Sequence, residues 1–99
     1  LRNIKIPKYA VWAMMKNKEP DLFIKQFKGV FKKIITIPID NEKNCMSALD
    51  LQAIARKNKF NVDKANNFNE AIKKITSSEK KLIICVGSLY NVGNILNKN

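Results

Sequence analysis

The stretch Tyr9-Ala-Val-Trp-Ala-Met-Met15 carries no charge and is almost continuously apolar. A strand with one solvated face alternates apolar and polar residues, whereas a strand covered on both faces is apolar throughout. The stretch therefore predicts a buried strand of a parallel sheet. It is too short for a membrane span, which needs about 18 apolar residues, and no small-residue cleavage site follows it as in a signal peptide.

Three more stretches of strand length follow along the chain. Lys33-Ile-Ile-Thr-Ile-Pro-Ile39 is rich in β-branched side chains and is ended by Pro38. Phe60-Asn-Val-Asp63 is short and weak, which favours a position near a sheet edge. Lys81-Leu-Ile-Ile-Cys-Val86 is again continuously apolar, and Gly87-Ser88 ends it.

Helical patterns separate these strands. Pro20-Asp21 is typical of a first helical turn, and Gly29 marks the end of that helix. Ser47 and Asn67 each stand three residues before a carboxylate, which is the spacing of a capping box, so a helix is predicted to begin at each. A final helix is predicted over 89–96. The apolar residues expected to face the sheet are Leu22, Phe23, Phe27, Val30 and Phe31, then Leu51, Ile54 and Ala55, then Phe68, Ala71, Ile72 and Ile75.

The order of elements is thus β-α-β-α-β-α-β-α. It predicts an α/β fold, in which a Rossmann-like, mainly parallel sheet of about four strands carries helices on both faces. The length of 99 residues suffices for one hydrophobic core but not for two, so residues 1–99 are expected to form a single domain.

The formal net charge is +11, from 17 Lys and 2 Arg against 8 acidic residues. Such a charge is typical of nucleic-acid-binding proteins, but the recognition of bases favours Arg over Lys. The lysines are spread along the chain in short pairs, and the 13 Asn and 13 Ile share A/T-rich codons with Lys. We therefore interpret the charge as a composition bias and expect no specific nucleic-acid partner, with nonspecific binding to phosphate as an open alternative.

The chain contains no histidine, which excludes Ser-His-Asp and Cys-His catalysis and any His-ligated metal site. Cys45 and Cys85 are 40 positions apart and form no C-x-x-C pair, so we expect no metal site and no catalytic residue here. A reduced, cytoplasmic protein is the simpler interpretation, with one disulfide left open. Cys85 is expected to be a buried strand residue whose thiol pKa is raised. Asp40, Glu42 and Asp50 are expected to be solvated rather than to hold Mg²⁺.

Candidate ligand-binding residues follow the predicted strands, because ligands of open parallel sheets bind beyond the carboxyl ends of the strands. Gly87 allows a sharp turn out of the last strand, and Ser88 begins a helix, where its hydroxyl and free backbone N–H groups can hold an anion. Lys16 and Lys18 follow the first strand and can hold a carboxylate or phosphate. The plainer alternatives are that Ser88 only caps its own helix and that both lysines are solvated loop charges.

Three blocks of the sequence match, in order, the pattern of one enzyme family. Val11-Trp-Ala-Met-Met-Lys-Asn-Lys-Glu19 resembles a V-F-G-M-L-x-D-K-D segment, and Ile37-Pro-Ile39 with the helix start at 44–50 matches the strand, loop and helix that follow it. Gly87-Ser-Leu-Tyr-Asn-Val-Gly93 is similar to a G-S-L-Y-L-x-G signature. These patterns belong to the folylpolyglutamate synthase/dihydrofolate synthase family of the Mur-ligase superfamily.

The resemblance implies that residues 1–99 are most of the C-terminal domain of an ATP-dependent ligase in folate biosynthesis. Such enzymes join L-glutamate to a folate or pteroate carboxyl through an acyl phosphate. They bind ATP and Mg²⁺ mainly with an N-terminal P-loop domain, so this chain alone is expected to be inactive. The resemblance also implies substrate contacts from Gly87, Ser88, Tyr90, Lys16 and Lys18. No membrane partner is expected, because the longest apolar run, Tyr9–Met15, is too short to span a bilayer. A non-catalytic α/β binding module is the remaining alternative.

Overall fold

Strands and helices alternate along the chain in the computed structural model, which describes residues 6–39, 42–75 and 81–87. The predicted helix over 89–96 lies outside the described residues. The elements, in chain order, are β1 Lys8–Ala13, a 3-10 turn Lys16–Lys18, α1 Pro20–Lys25, β2 Lys33–Thr36, α2 Ala48–Lys57, β3 Val62–Lys64, α3 Phe68–Ile75 and β4 Leu82–Gly87.

The four described strands form one parallel sheet in the order β3-β2-β1-β4. This confirms the predicted α/β fold and the position of β3 at an edge. The strand β1 pairs with β2 on one side, where Tyr9 stands opposite Lys33, and with β4 on the other, where Lys8 stands opposite Leu82. The strand β4 is the outer strand on its side of the described sheet.

The order of the strands explains why helices cover both faces. The chain moves from β1 to β2 to β3 in one direction and then returns past β1 to β4. Crossovers between parallel strands are right-handed. The helices α1 and α2, which connect β1 to β2 and β2 to β3, therefore lie on one face, and α3, which connects β3 back to β4, lies on the other. Ile24 of α1 and Leu51 of α2 pack into one core cluster with Trp12, whereas Ala71 and Ile75 of α3 pack into the other.

The strand β1 is buried along its whole length, as its continuous apolar sequence predicts. Its side chains alternate between the two core clusters, so both faces need apolar residues. The ring of Trp12 stacks on that of Phe23 with 6.4 Å between ring centroids. The clusters take Tyr9, Val11 and Ala13 on one face and Ala10, Trp12 and the following Met14 on the other.

Side-chain caps begin α2 and α3 where the sequence predicts them. The Asp50 N–H donates to Ser47 Oγ at 3.0 Å, and the Glu70 N–H donates to Asn67 Oδ1 at 2.9 Å. The Glu70 carboxylate reaches back to the backbone N–H of Asn66 at 3.3 Å, one residue before the position that the capping-box pattern implies.

A buried hydroxyl joins the end of β2 to the start of α2. Thr36 is fully buried, and its Oγ1 donates to the Ala48 carbonyl oxygen at 2.7 Å. Since an unpaired hydroxyl in the core is costly, this bond fixes the first turn of α2 against the sheet. It thereby positions the loop between β2 and α2, which lies at the carboxyl edge.

The first helix differs most from its prediction. It ends at Lys25, and residues 26–30 form turns, although the apolar pattern predicts a helix as far as Gly29. Leu22, predicted to be buried, is 56% exposed, and Ile24 is fully buried in its place. Ile24 and Phe31 are buried in one core cluster, and Phe27 packs against it. Leu22 lies about 200° around the helix from Ile24 and therefore faces away from that cluster.

The ends of the other elements also differ in detail. The strands β1 and β2 stop at Ala13 and Thr36 instead of at Met15 and Ile39, and Gly87 is the last residue of β4 rather than a break after it. The residues after β1 pair with residues 44–46 of the loop between β2 and α2, as described below. The predicted loop at 16–19 contains a short 3-10 turn.

The helix α2 ends in a Schellman motif with an unusual residue at its left-handed position. The Phe60 N–H donates to the Ala55 carbonyl and the Lys59 N–H to the Arg56 carbonyl, both at 3.0 Å. Lys59 has a φ of 69°, a conformation in which the Cβ of any residue other than Gly is crowded.

We expect Lys59→Gly to raise the free energy of unfolding by about 0.5–1 kcal/mol, because glycine adopts this φ without crowding. That gain corresponds to a rise of a few degrees in Tm, measurable by circular dichroism. Lys59→Ala is the matched control, since it removes the same charge but keeps a Cβ. An equal rise for both variants would assign the effect to the charge instead.

Candidate functional site

The candidate site lies at the carboxyl edge of the sheet, between β1 and β4. The chain leaves β1 toward β2, whereas β4 lies on the opposite side of β1. A strand order that reverses in this way opens a crevice beyond the carboxyl ends, where ligands of open α/β sheets bind. The last paired residues at this point are Ala13 and Gly87. The fold therefore brings Gly87 and the loop that holds Lys16 and Lys18 to the same edge.

Gly87 permits a close approach of the two strands. Its φ is +120°, an angle that residues with a side chain rarely adopt. A Cβ at this position would lie 1.7 Å from the carbonyl oxygen of Ala13 and 3.4 Å from Cδ1 of Trp12. No side chain fits there, since the first of these contacts is with the backbone. The expected positive φ at Gly87 is confirmed, and the predicted turn from there into a helix lies outside the described residues.

The loop after β1 is held in place by the loop after β2. The Lys16 N–H donates to the Asn44 carbonyl and the Met46 N–H donates to the Met14 carbonyl, both at 2.8 Å. Between these bonds, Met15 and Cys45 form an antiparallel bridge. We call this pairing of residues 14–16 with residues 44–46 the loop strap. The loop strap uses backbone groups only, so no side-chain pattern in the sequence indicates it.

Lys16 and Lys18 project from the loop strap and the turn that follows it. Both side chains are exposed, and neither forms an ion pair within the part of the chain that the structure describes. The next residue, Glu19, has a φ of 51° and accepts the first hydrogen bond of α1, from the Phe23 N–H at 3.0 Å. The predicted position of both lysines beside the end of β1 is confirmed, and their contact with a ligand stays a prediction.

Two of the predicted site residues, Ser88 and Tyr90, lie outside the described residues. The structure therefore leaves their roles as predictions. The structure does describe the residue before Ser88, which is Gly87 at the carboxyl end of β4, next to Ala13. Asp40 also lies outside the described residues.

Metal-binding groups are absent from the described part of the chain. No group of three or more His, Cys, Asp or Glu residues converges within residues 6–39, 42–75 and 81–87. Glu42 and Asp50 take no part in such a group. In the same residues, no helix has the length and apolar character needed to cross a bilayer.

Both cysteines are free thiols and do not pair with each other. Cys85 lies in β4 opposite Val11, and burial raises the pKa of its thiol, as the sequence predicts. A thiol with a raised pKa is a weak nucleophile at neutral pH. Cys45 is half-buried in the loop strap beside Met15. The disulfide that the sequence left open is therefore not formed between these two cysteines.

Solved structures share this fold over 93% of the chain. Folylpolyglutamate synthase of Mycobacterium tuberculosis, complexed with ADP and AMPPCP or with ADP, matches with a TM-score of 0.78 and 16% sequence identity. Folylpolyglutamate synthase of Thermotoga maritima matches with a TM-score of 0.75 and 22% identity. The chain has the fold of a part of these enzymes. It spans 23% of the length of the first protein and 21% of the second.

The sequence itself gives no further match. No protein-family model matches it, and no curated protein matches it. The structural likeness supports the fold that the resemblance implies, including the parallel sheet and its helices. At these identities the likeness concerns the fold, and the activity of the chain belongs to the proposal below.

We expect Gly87→Ala to lower the free energy of unfolding by about 3–5 kcal/mol, because it adds an overpacking clash to an unfavourable φ. Gly29→Ala is the matched control: its φ is +81°, but an added Cβ meets nothing within 4 Å. That variant should lose only about 1–2 kcal/mol. Urea unfolding measures both values, and equal losses would contradict the close approach of β1 and β4.

Proposed function

We propose that this chain is the C-terminal domain of an ATP-dependent ligase of the folylpolyglutamate synthase/dihydrofolate synthase type. The enzyme would join L-glutamate to the carboxyl group of a folate or pteroate in the cytoplasm. The observation that carries the proposal is the positive φ of Gly87, which begins the block similar to G-S-L-Y-L-x-G and lies at the point where the strand order reverses. The likeness in fold to two folylpolyglutamate synthases supports it.

The proposed task of this domain is to hold an anionic part of a substrate. Beyond Gly87, the Ser88 hydroxyl and the adjacent backbone N–H groups would donate to a carboxylate or phosphate oxygen. Tyr90 would line the same pocket. Lys16 and Lys18 would add positive charge from the neighbouring strand end, where the loop strap holds the backbone of Lys16. A ligand oxygen held by several fixed donors loses less entropy on binding than one held by mobile side chains.

This arrangement suits the capture of L-glutamate better than it suits bond making. Ligation requires the glutamate amino group to attack an activated folate or pteroate carboxyl, so the two substrates must be aligned. ATP with Mg²⁺, bound mainly by the N-terminal P-loop domain, supplies the activation of that carboxyl as an acyl phosphate. The residues of this chain would orient the glutamate by its carboxylate and neutralise its charge.

The metal is assigned to the other domain for a chemical reason. Mg²⁺ prefers carboxylate oxygens together with waters and phosphates. The described residues bring no cluster of acids together, and the carboxyl edge offers ammonium groups at Lys16 and Lys18 instead. These side chains fit an anionic substrate, or a phosphate of ATP, rather than a cation.

In the complete ligase, we expect Ser88→Ala to raise the KM for L-glutamate about 10- to 100-fold with little change in kcat, since one hydrogen bond to a charged group is worth about 1.5–3 kcal/mol. Ser47→Ala is the matched control. Its Oγ caps the start of α2 at the same edge of the sheet, after the loop that follows β2 rather than after β4. It should lower stability by about 1 kcal/mol and leave the KM unchanged.

The two variants separate substrate binding from capping. If Ser88→Ala behaves like Ser47→Ala, with a lower Tm and an unchanged KM, Ser88 only caps the helix that follows it. The proposed substrate contact would then be wrong, although the assignment to the ligase would stand.

We expect the 99-residue chain alone to form no folate–glutamate product, because the groups that bind ATP lie elsewhere. Adding a separately expressed N-terminal domain of a folylpolyglutamate synthase, with ATP, Mg²⁺, L-glutamate and a folate, should restore measurable ligation. The matched control adds this chain carrying Gly87→Ala. Product formation by the chain without the second domain would contradict the proposed division of labour.

A further inference from the structure

The amino edge of the sheet, opposite the candidate substrate site, gathers cationic side chains from distant parts of the sequence. Lys33 begins β2, and Lys81 directly precedes β4. The helices α2 and α3 run back toward this edge, and each ends in a basic last turn. We call this set the amino-edge belt; it consists of Lys28, Lys32, Lys33, Arg56, Lys57, Lys59, Lys73 and Lys81.

Hydrogen bonds show that these segments adjoin one another. The Ile34 N–H donates to the Asn61 carbonyl at 2.9 Å, which joins β2 to the turn after α2. The Lys32 N–H donates to the Lys8 carbonyl at 2.7 Å and the Leu82 N–H to the Pro7 carbonyl at 2.9 Å, so the segments that begin β2 and β4 both adjoin the start of β1. Lys81 Nζ donates to the Ile75 carbonyl at 2.7 Å, which joins the start of β4 to the end of α3. The belt therefore runs across the whole described sheet.

Aromatic rings hold some of these ammonium groups in place. The Nζ atoms of Lys32 and Lys81 lie 6.0 and 5.8 Å from the centroid of the Tyr9 ring. Lys28 Nζ lies 5.4 Å from the centroid of the Phe60 ring. A ring face restrains a cation without cancelling its charge, so these contacts keep the positive charges at this edge of the sheet.

Acidic residues offset the belt only in part. Among the described acids, Asp21 Oδ1 lies 3.7 Å from Lys57 Nζ, and the Asp63 carboxylate forms an ion pair with Lys74 beside the belt. The others occupy first helical turns or loops at the carboxyl edge: Glu19, Glu42, Asp50 and Glu70. Four of the six described acids therefore lie at the edge opposite the belt.

We propose that the amino-edge belt binds the phosphate backbone of nucleic acid without sequence selectivity. This function goes beyond the proposed ligase and uses the opposite edge of the sheet. The spacing of the lysines along the sequence argues against such a surface, but the fold brings the scattered pairs together. Lysine acts as a point charge toward phosphate and reads bases poorly, which fits a nonselective contact.

An anionic membrane is the less suitable partner. Helices that lie on membranes combine basic residues with a continuous apolar stripe. The large hydrophobic side chains exposed in the described residues are Ile6, Leu22 and Leu49, which come from three separate segments. A phosphate backbone requires only the charges.

The test is fluorescence anisotropy of a labelled 20-base-pair DNA duplex titrated with the 99-residue chain between 50 and 200 mM salt. The belt variant Arg56→Gln/Lys73→Gln removes two exposed cations from the ends of α2 and α3. The matched control Lys43→Gln/Lys64→Gln removes two exposed cations from the carboxyl-edge loop and the end of β3. Both variants have the same net charge, and circular dichroism checks that both are folded.

We expect the unmodified chain to bind the duplex with an affinity that falls steeply with salt. The belt variant should bind about tenfold more weakly at 50 mM salt, with a log–log salt slope shallower by about 2. The control should keep the original slope, and unlabelled duplexes of different sequence should compete equally. Equal losses in the two variants, no binding at 50 mM salt, or binding to vesicles containing phosphatidylserine but not to DNA would each overturn the proposal.

Discussion

The carbonyl oxygen of Ala13 occupies the space where residue 87 would carry a side chain, and this contact organises the carboxyl edge of the sheet. It allows β4 to pair with β1 along six residues, as far as Gly87. Because β1 also pairs with β2 and is covered on both faces, its position determines where every other element packs. The candidate site lies between β1 and β4 because β4 pairs with β1 on the side away from β2.

Much of the architecture could be predicted from sequence because it depends on local patterns. Continuous apolar strands and the caps at Ser47 and Asn67 are such patterns, and the structure confirms them. The ends of strands depend instead on tertiary partners: β1 stops at Ala13 because the next residues pair with the loop after β2. The exposure of Leu22 likewise depends on how α1 faces the sheet, which an apolar pattern alone cannot determine.

The candidate site also combines features that the sequence predicts with features that depend on the folded structure. The conformation of Gly87 and the location of Lys16 and Lys18 follow from residue type and strand order, which a sequence pattern contains. The loop strap depends on backbone groups, which nearly all residues share, so no sequence pattern predicts it. The gathering of lysines at the amino edge also depends on topology, since these residues are far apart along the chain.

The loop strap couples the position of the segment after β1 to that of the loop between β2 and α2. A displacement of residues 44–46 must carry residues 14–16 with it, or break two short hydrogen bonds. Changes in the second segment, including a bulky adduct on the Cys45 sulfur, are therefore transmitted to the ammonium groups that project from the first. Residues 44–46 thus influence the position of Lys16 and, with it, the proposed contact of Lys16 with an anionic ligand.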